Sequence, residues 1–531
     1  IAINGYLPFP LSVTSLLSFM VALFIFKACA ILLFSYVRTK IVTDYKRHMR
    51  EELFSLALVA EWRFLLRQKL GYIQSAFIRG VDQGAALFMS FGHAILALTT
   101  VCMYFLVSVN ISPNITLITM GGGILLLILL LPLGKIAKAA AYRVNQVEKD
   151  ASQHLSEHVI GMKVVKAAAV ENGVREKTAE LLAILRRLNI RSYMLRASSA
   201  AFIQPISFVF ITVIFVLSYR TPGFNLAALI ATIYLIHKIF VDVESIQRSL
   251  HTISDLLPHT ADIIYLMDSL RKYREHDLGD EPFSFQNELE FRDLFFSYHS
   301  GPPVLSGIQI TVHKGDTIAV VGPSGVGKTS LVDLLLRLFT PEKGEIMIDG
   351  KDISSIGVRE WRMHLGYVPQ DIFLLNDTIR NNILFYRTGI GETDIENAVK
   401  EAHIYEYVQS LPDGLDTMVG DRGIMLSAGQ RQRIVLAREL AHHPEILVLD
   451  EATSALDNES ESLIQKALQQ LHGKVTVIMI AHRLSTVLDA DRVYVLHGGR
   501  IIEEGNPRKL LEDPQSNFYK AYHVKRSALS V

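Results

Sequence analysis

The sequence predicts two fold classes in series: an all-α transmembrane helical domain, then an α/β domain built around a phosphate-binding loop. Three observations carry this expectation. Apolar runs long enough to cross a bilayer occur at about 11–36, 84–107, 115–134, 198–219 and 226–243, all in the first half of a 531-residue chain. The pattern Gly322-x-x-x-x-Gly327-Lys328-Thr329 stands in the second half, between a strand-like and a helix-like run. The zero net charge also hides a split. Residues 1–270 hold 25 Lys+Arg against 16 Asp+Glu, and the remainder 28 against 37. A mean hydropathy of +0.27 fits a greasy, basic front half joined to a polar, acidic back half.

Taken in order, Ile1 to Pro10 carries no charge and reads as a short exposed loop. The run at 11–36 has neither the basic start nor the small-residue cleavage site of a signal peptide. Segments 37–83 and 135–197 are rich in Lys and Arg, whereas Ser108–Asn114 and Arg220–Asn225 together carry a single Arg. The positive-inside rule therefore places the two long basic segments, and the domain that follows, in the cytoplasm. Five spans then leave Ile1 outside, which leads us to expect one further span upstream and six in the native subunit.

Leu53 to Gln83 and Ala151 to Asn189 mix apolar and charged residues at helical spacing, so they are expected to continue the spans below the bilayer. Their tips, near Glu61–Gly71 and Ala167–Arg175, are candidates for contact with the soluble domain. Lys27, His237 and Lys238 interrupt apolar runs. They either line a cavity for an anionic head group, or Lys27 snorkels to the interface and Lys238 pairs with Asp242. His93 is expected to be packed or hydrogen-bonded. Cys29 and Cys102 lie in apolar runs with no metal-ligand spacing. The positive charge flanks apolar spans, which argues against nucleic-acid binding. The polar, Gly- and Pro-punctuated stretch 271–288 reads as a linker between a membrane domain at 1–270 and a nucleotide domain at 289–531.

In the back half, Leu289–Tyr298 and Ile308–Val312 alternate like paired strands. Thr317–Val321 reads as a buried strand and Leu331–Phe339 as an apolar helix, so Gly322, Pro323, Ser324, Gly325, Val326, Gly327, Lys328, Thr329 and Ser330 form a strand-to-helix turn. A helix N-terminus there offers unpaired N–H groups and partial positive charge to phosphate. Lys328 would reach the terminal phosphates, and the Thr329 hydroxyl would hold magnesium. Glu445–Glu451 is an apolar strand ending in two acids. It places Asp450 to hold magnesium through water, and Glu451 to polarise the attacking water as general base. Tyr298 is open between stacking on an adenine base and ending a strand as an ordinary aromatic.

With these stand Leu426-Ser-Ala-Gly-Gln430, Gln370 within Tyr367–Asp371, Ser454-Ala-Leu-Asp457 and His482 within Ile480–Leu484. In order and spacing, and over essentially the whole chain, they resemble an ATP-binding cassette (ABC) exporter subunit. The resemblance implies an ATPase whose ATP, with Mg2+, is sandwiched between two subunits. Ser427, Gly429 and Gln430 would meet the nucleotide bound by the other subunit, and Gln370 would sense magnesium and water. His482 would contact the terminal phosphate, Asp457 would join the two sites, and Tyr298 would stack on adenine. Thr417–Gly423 resembles the family's domain-crosstalk loop.

Ala428 stands where the signature's first glycine is usual, and Asp421 where a Glu is more usual. The resemblance further implies a second identical or homologous subunit, membrane lipids as surroundings, and an amphiphilic or lipid-like substrate. The expected location is a bacterial inner membrane with the ATPase domain in the cytoplasm. The alternative on the same scaffold is a nucleotide-gated channel or a regulatory subunit.

Overall fold

The computed structural model describes residues 13–68, 70–111, 113–219, 226–277, 279–298, 301–452, 456–481 and 483–521. The chain divides into two compact units, one ending at Glu275 and the next beginning at His276.

The first unit is helical. α1 (Val13–Leu58), α2 (Trp62–Leu65) and α3 (Leu70–Ser75) lead through a π-helical turn (Ala76–Gly80) into α4 (Val81–Ile111). Then come α5 (Pro113–Ile160), α6 (Met162–Ala167), α7 (Glu171–Tyr219) and α8 (Leu226–Lys272). Among the described residues, α1 and the stretch Gly71–Ile111 are long and apolar enough to cross a membrane. The large side chains of α1 face outward, with Phe24 65 % and Phe26 73 % exposed, which suits a surface that meets lipid. α1 has 46 residues, about 70 Å at 1.5 Å per residue, more than twice the hydrocarbon thickness. Ile1–Pro10 and the connection Arg220–Asn225 lie outside the described residues.

The two long basic segments are not continuous helices. The first breaks after Leu58, where Glu61 N donates to Tyr273 O at 2.7 Å and Glu275 N to Val59 O at 2.8 Å. The chain prefers this pairing with the end of α8 to another helical turn. The π-helical turn sits where Gly80 packs on Ile263, so close that a Cβ would come within 2.7 Å of it. The second segment breaks at Gly161 and again at Ala168–Val170, where Ala169 has φ +52°.

Polar contacts tie the lower parts of these helices. Lys149 bridges to Asp262 at 2.6 Å, Asn145 donates to the same carboxylate at 2.9 Å, and the Tyr72 hydroxyl donates to Asp262 O at 3.3 Å. His93 accepts from Arg38 at 3.1 Å, the hydrogen-bonded role expected of it. Lys27 is exposed, and Lys238 lies 5.8 Å over the Tyr234 ring.

The second unit has two sheets. β1 (Glu288–Phe296), β2 (Leu305–His313), β4 (Lys343–Ile348) and the short β5 (Lys351–Asp352) form an antiparallel sheet in the order β2-β1-β4-β5. β3 (Thr317–Val321), β6 (Leu365–Val368), β7 (Ile446–Asp450), β8 (Thr476–Ile480), β9 (Arg492–His497) and β10 (Arg500–Gly505) form the other, in the order β10-β9-β3-β8-β7-β6. Only β10 runs antiparallel in it. Every residue of β3, β7 and β8 is buried, as continuous apolar strands of a covered parallel sheet should be.

The helices are α9 (Lys328–Leu335), α10 (Val358–Met363), α11 (Ile379–Leu384), α12 (Glu392–Glu401), α13 (Tyr405–Ser410), α14 (Ala428–Leu440), α15 (Asn458–Leu471), α16 (Leu484–Val487) and α17 (Pro507–Glu512). Phe283 stacks on His364 with ring centroids 4.0 Å apart and Phe285 is 1 % exposed, so this stretch ahead of β1 packs on the nucleotide unit.

Glu439 is the charged centre of this core. It accepts from Arg387 at 2.9 Å and pairs with His442 at 3.4 Å while almost wholly buried. Burial alone would raise its pKa, but the hydrogen bonds and charges of His442 and Arg387 outweigh it and hold the carboxyl below the ordinary glutamate value of 4.5. A depressed carboxylate pKa contributes stability above the unfolded value and loses it as pH falls through the folded one. Glu439→Gln should therefore cost about 1.5–3 kcal/mol at neutral pH, the worth of a hydrogen bond to a charged group, since Arg387 keeps its bond to Arg438 O and stays partly in water. In denaturant titrations the gap between variant and wild type should narrow below pH 4.5.

Candidate functional site

The site is built at the carboxyl edge of the parallel sheet, where α/β folds bind ligands. Val320 of β3 and Asp450 of β7 both stand opposite Ile480 of β8, so three adjacent strands end level. The phosphate loop follows β3, Glu451 follows β7, and the segment containing Gln370 follows β6. His482 follows β8 in sequence but lies outside the described residues, as do Ser454 and Ala455.

Gly327 opens α9 with φ +108°, and a Cβ there would come within 2.8 Å of Leu305, so only glycine fits. Pro323, Ser324 and Gly325 are exposed along the loop, and Val326 is half-buried. Lys328 is 5 % exposed, and its ammonium donates to Gly322 O at 3.1 Å and Pro323 O at 3.0 Å. A buried cation thus sits inside the arc of the loop, with its charge available to an anion there.

Thr329 and Asp450 come together. The Thr329 hydroxyl hydrogen-bonds the Asp450 carboxylate, whose Oδ1 is buried without a partner. Burial, helped by the charges of Glu451 and Asp333, pushes the Asp450 pKa up to about 6 against the pull of Thr329 and Lys328. An orphaned, buried carboxylate oxygen beside a hydroxyl suits a hard divalent cation that completes its shell with water and phosphate. Mg2+ therefore fits these residues.

Gln370 and Glu451 also come together, Gln370 Nε2 donating to Glu451 Oε2 at 2.8 Å. Glu451 has φ +50°, a costly conformation for a non-glycine residue, fixed by its N–H donating to Ile480 O at 3.1 Å. With the backbone so held, the carboxylate meets Gln370 from the segment that follows β6.

Tyr298 is 38 % exposed, and its hydroxyl bonds Ser330 Oγ at 2.9 Å and Asp333 at 3.4 Å. Its ring meets Phe339 edge-on with centroids 5.3 Å apart. From the segment just after β1, its hydroxyl thus reaches α9, the helix that follows the phosphate loop. Asp333, whose pKa burial raises to about 6, has no feature in its sequence position that marks it.

The Leu426–Gln430 segment folds into a reciprocal cap on α14. Gln430 N donates to Ser427 Oγ at 3.2 Å, and Ser427 N donates to Gln430 Oε1 at 2.8 Å. Gly429 packs so tightly on α15 that a Cβ would lie 2.1 Å from Ser460 Oγ, a need for glycine that arises inside the chain. Ala428, the first residue of α14, is half-buried and packs on the core. Asp457 caps α15 through Ser460 N at 3.3 Å, and the Arg433 charge faces it. Asp421 is exposed within Thr417–Gly423, a segment held to 377–379 by Val419 N donating to Asp377 O at 3.0 Å.

Residues 8–229 match the family described as the ABC transporter transmembrane region, and residues 305–454 match ABC transporter. The chain is 31 % identical over 464 residues to the heterocyst differentiation ATP-binding protein HepA of Nostoc sp., covering 85 % of this chain and 74 % of that protein. It is 30 % identical over 508 residues to the ATP-dependent lipid A-core flippase of Syntrophus aciditrophicus, covering 93 % and 82 %. Among solved structures, a bacterial Atm1-family ABC exporter with ATP bound superposes with a TM-score of 0.81 at 26 % identity, covering 96 % of this chain and 91 % of that one.

Proposed function

The chain belongs to the ABC transporter family, a membrane protein with its ATPase fused in the same polypeptide, and from that premise we propose that two such subunits form an ATP-driven exporter or flippase for an amphiphilic or lipid-like substrate. The observation that supports this most is the grouping of Lys328, Thr329, Asp450, Glu451 and Gln370 at one edge of one sheet. Lys328 and the N-terminus of α9 bind and orient the triphosphate. Glu451 accepts a proton from the attacking water, and Gln370 holds that carboxylate in place. His482 is proposed to meet the terminal phosphate from the neighbouring strand. Thr329 and Asp450 would hold Mg2+, which when bound neutralises phosphate charge.

Ser427, Gly429 and Gln430 present a capped helix N-terminus to the nucleotide of a second subunit, identical in the simplest assembly, and Asp457 links the two sites. Tyr298 would turn its exposed face to the adenine. ATP then favours subunit closure and one orientation of the membrane helices, and hydrolysis releases it, a two-state equilibrium biased by ligand. The breaks near Trp62–Leu65 and Ala168–Val170 are proposed as the contacts that pass this bias to the spans. We place the ATPase unit in the cytoplasm, most simply beneath a bacterial inner membrane.

For the cargo, a cavity of about 280 Å3 between α7 and α8 has apolar walls at Phe208, Ile211 and Phe240, with His237 and Glu244 among them. An apolar wall with a few polar groups suits an amphiphile. In nanodiscs, lipids or amphiphiles should stimulate ATPase activity above its basal rate, and vesicles should show ATP-dependent accumulation against a gradient. Passive, ATP-gated flux would favour the channel reading instead. If anionic head groups are recognised by Lys27 and Lys238, Lys27→Ala and Lys238→Ala should abolish stimulation by anionic lipids alone. Full stimulation in both variants excludes that role.

A further inference from the structure

We infer that Arg483 and Glu461 are positioning residues for ATP hydrolysis, a strap joining the segment that leaves β8 to the segment that enters α15. The inference rests on the active-site reading above. β7 and β8 are paired neighbours whose carboxyl ends stand level, Asp450 opposite Ile480. Arg483 is the N-cap residue of α16, next in sequence to His482. Its guanidinium pairs with Glu461 and donates from its other arm to Leu456 O at 2.8 Å, on the residue before Asp457.

Glu461 stands one turn into α15, where its N–H donates to the carbonyl of the capping Asp457 at 3.0 Å. Its second oxygen accepts from Ser485 Oγ at 2.6 Å. With 6 % of its surface exposed, this carboxylate is withdrawn from water and held by charge and hydrogen bonds together. The planar fork of arginine matches the task, because one guanidinium satisfies a carboxylate and a carbonyl from two segments at once.

The consequence is geometric. The segment proposed to bring His482 to the terminal phosphate and the segment proposed to bring Asp457 to the second subunit cannot shift independently while the strap holds. Subunit contact at one is transmitted as alignment at the other. Neither strap residue needs to touch nucleotide for this, so the loss should fall on turnover and spare binding.

The test measures ATPase kinetics of the full-length chain in nanodiscs, and ATP affinity separately with a fluorescent ATP analogue. Glu451→Gln serves as the reference. Glu461→Gln and Arg483→Ala should lower kcat by about 10- to 100-fold, the cost of a displacement near 1 Å, with KM and nucleotide affinity unchanged. Arg483→Lys should recover part of the rate, since an ammonium can meet Glu461 but not Leu456 O at the same time. Wild-type kcat in Glu461→Gln overturns the proposal. So does a fall in ATP affinity parallel to kcat, which would mark general damage to the fold. If Glu451→Gln itself turns over normally, the active-site reading fails. If Glu451→Gln is inactive while Glu461→Gln is fully active, only the strap fails.

Discussion

Glu451→Gln is expected to lower kcat for ATP hydrolysis by about 10²- to 10⁴-fold, the range for removing a general base, while leaving ATP affinity intact. The substitution keeps the shape of the side chain and changes its proton chemistry. Glu451 is held by Gln370 at 2.8 Å and by a backbone at φ +50° that fixes where its carboxylate points. A glutamine can occupy the same place but cannot take a proton from water. The phosphate loop, Lys328 and the Thr329–Asp450 pair are untouched, so nucleotide should still bind. Because ATP would then persist between subunits, the variant should accumulate as a closed dimer, visible as an ATP-dependent crosslink between cysteines placed across the two ATPase units. Turnover at a tenth of the wild-type rate or more would move the base to another residue.

The contrast between local and tertiary signals explains what the sequence reveals. β3 and the phosphate loop are legible because a run of four apolar residues, Ile318–Val321, and a fixed glycine spacing are local features. Asp450 and Glu451 are legible for the same reason, since a strand ending in acids announces its edge. The break after Leu58 is not legible, because helical periodicity continues through it and the competing partner, Tyr273, lies far along the chain. The π-helical turn at Ala76–Gly80 is equally silent, being set by the approach of Ile263.

Gly429 shows both kinds of signal in one residue. Its place in the signature suggests a role toward nucleotide, yet its contact with Ser460 gives a reason for glycine that only the packed chain discloses. The Glu461–Arg483 pair joins residues whose charges look like ordinary solvated ones in the sequence, and only burial separates them from the many surface pairs of this chain.

Lys328→Ala should produce the opposite phenotype to Glu451→Gln: failure to bind rather than failure to hydrolyse. Lys328 is buried, and its ammonium is already held by Gly322 O and Pro323 O. Its departure removes those bonds and the charge the phosphates would meet. A hydrogen bond to a charged group is worth about 1.5–3 kcal/mol, so ATP affinity should fall by about 10- to 100-fold even if a single phosphate contact is lost. Thermal unfolding offers an independent check. A ligand at 100 times its Kd stabilises the folded state by about 2.7 kcal/mol, and at that same concentration a variant weakened 10- to 100-fold should retain only about 1.4 to 0.4 kcal/mol of it, losing from about half to most of the shift in Tm. Two results can be told apart. An unchanged apo Tm with no ATP-induced shift identifies the lysine as a phosphate ligand. A lowered apo Tm with wild-type ATP affinity identifies it as a clamp on its own loop, and would remove the charge from the centre of the proposed site.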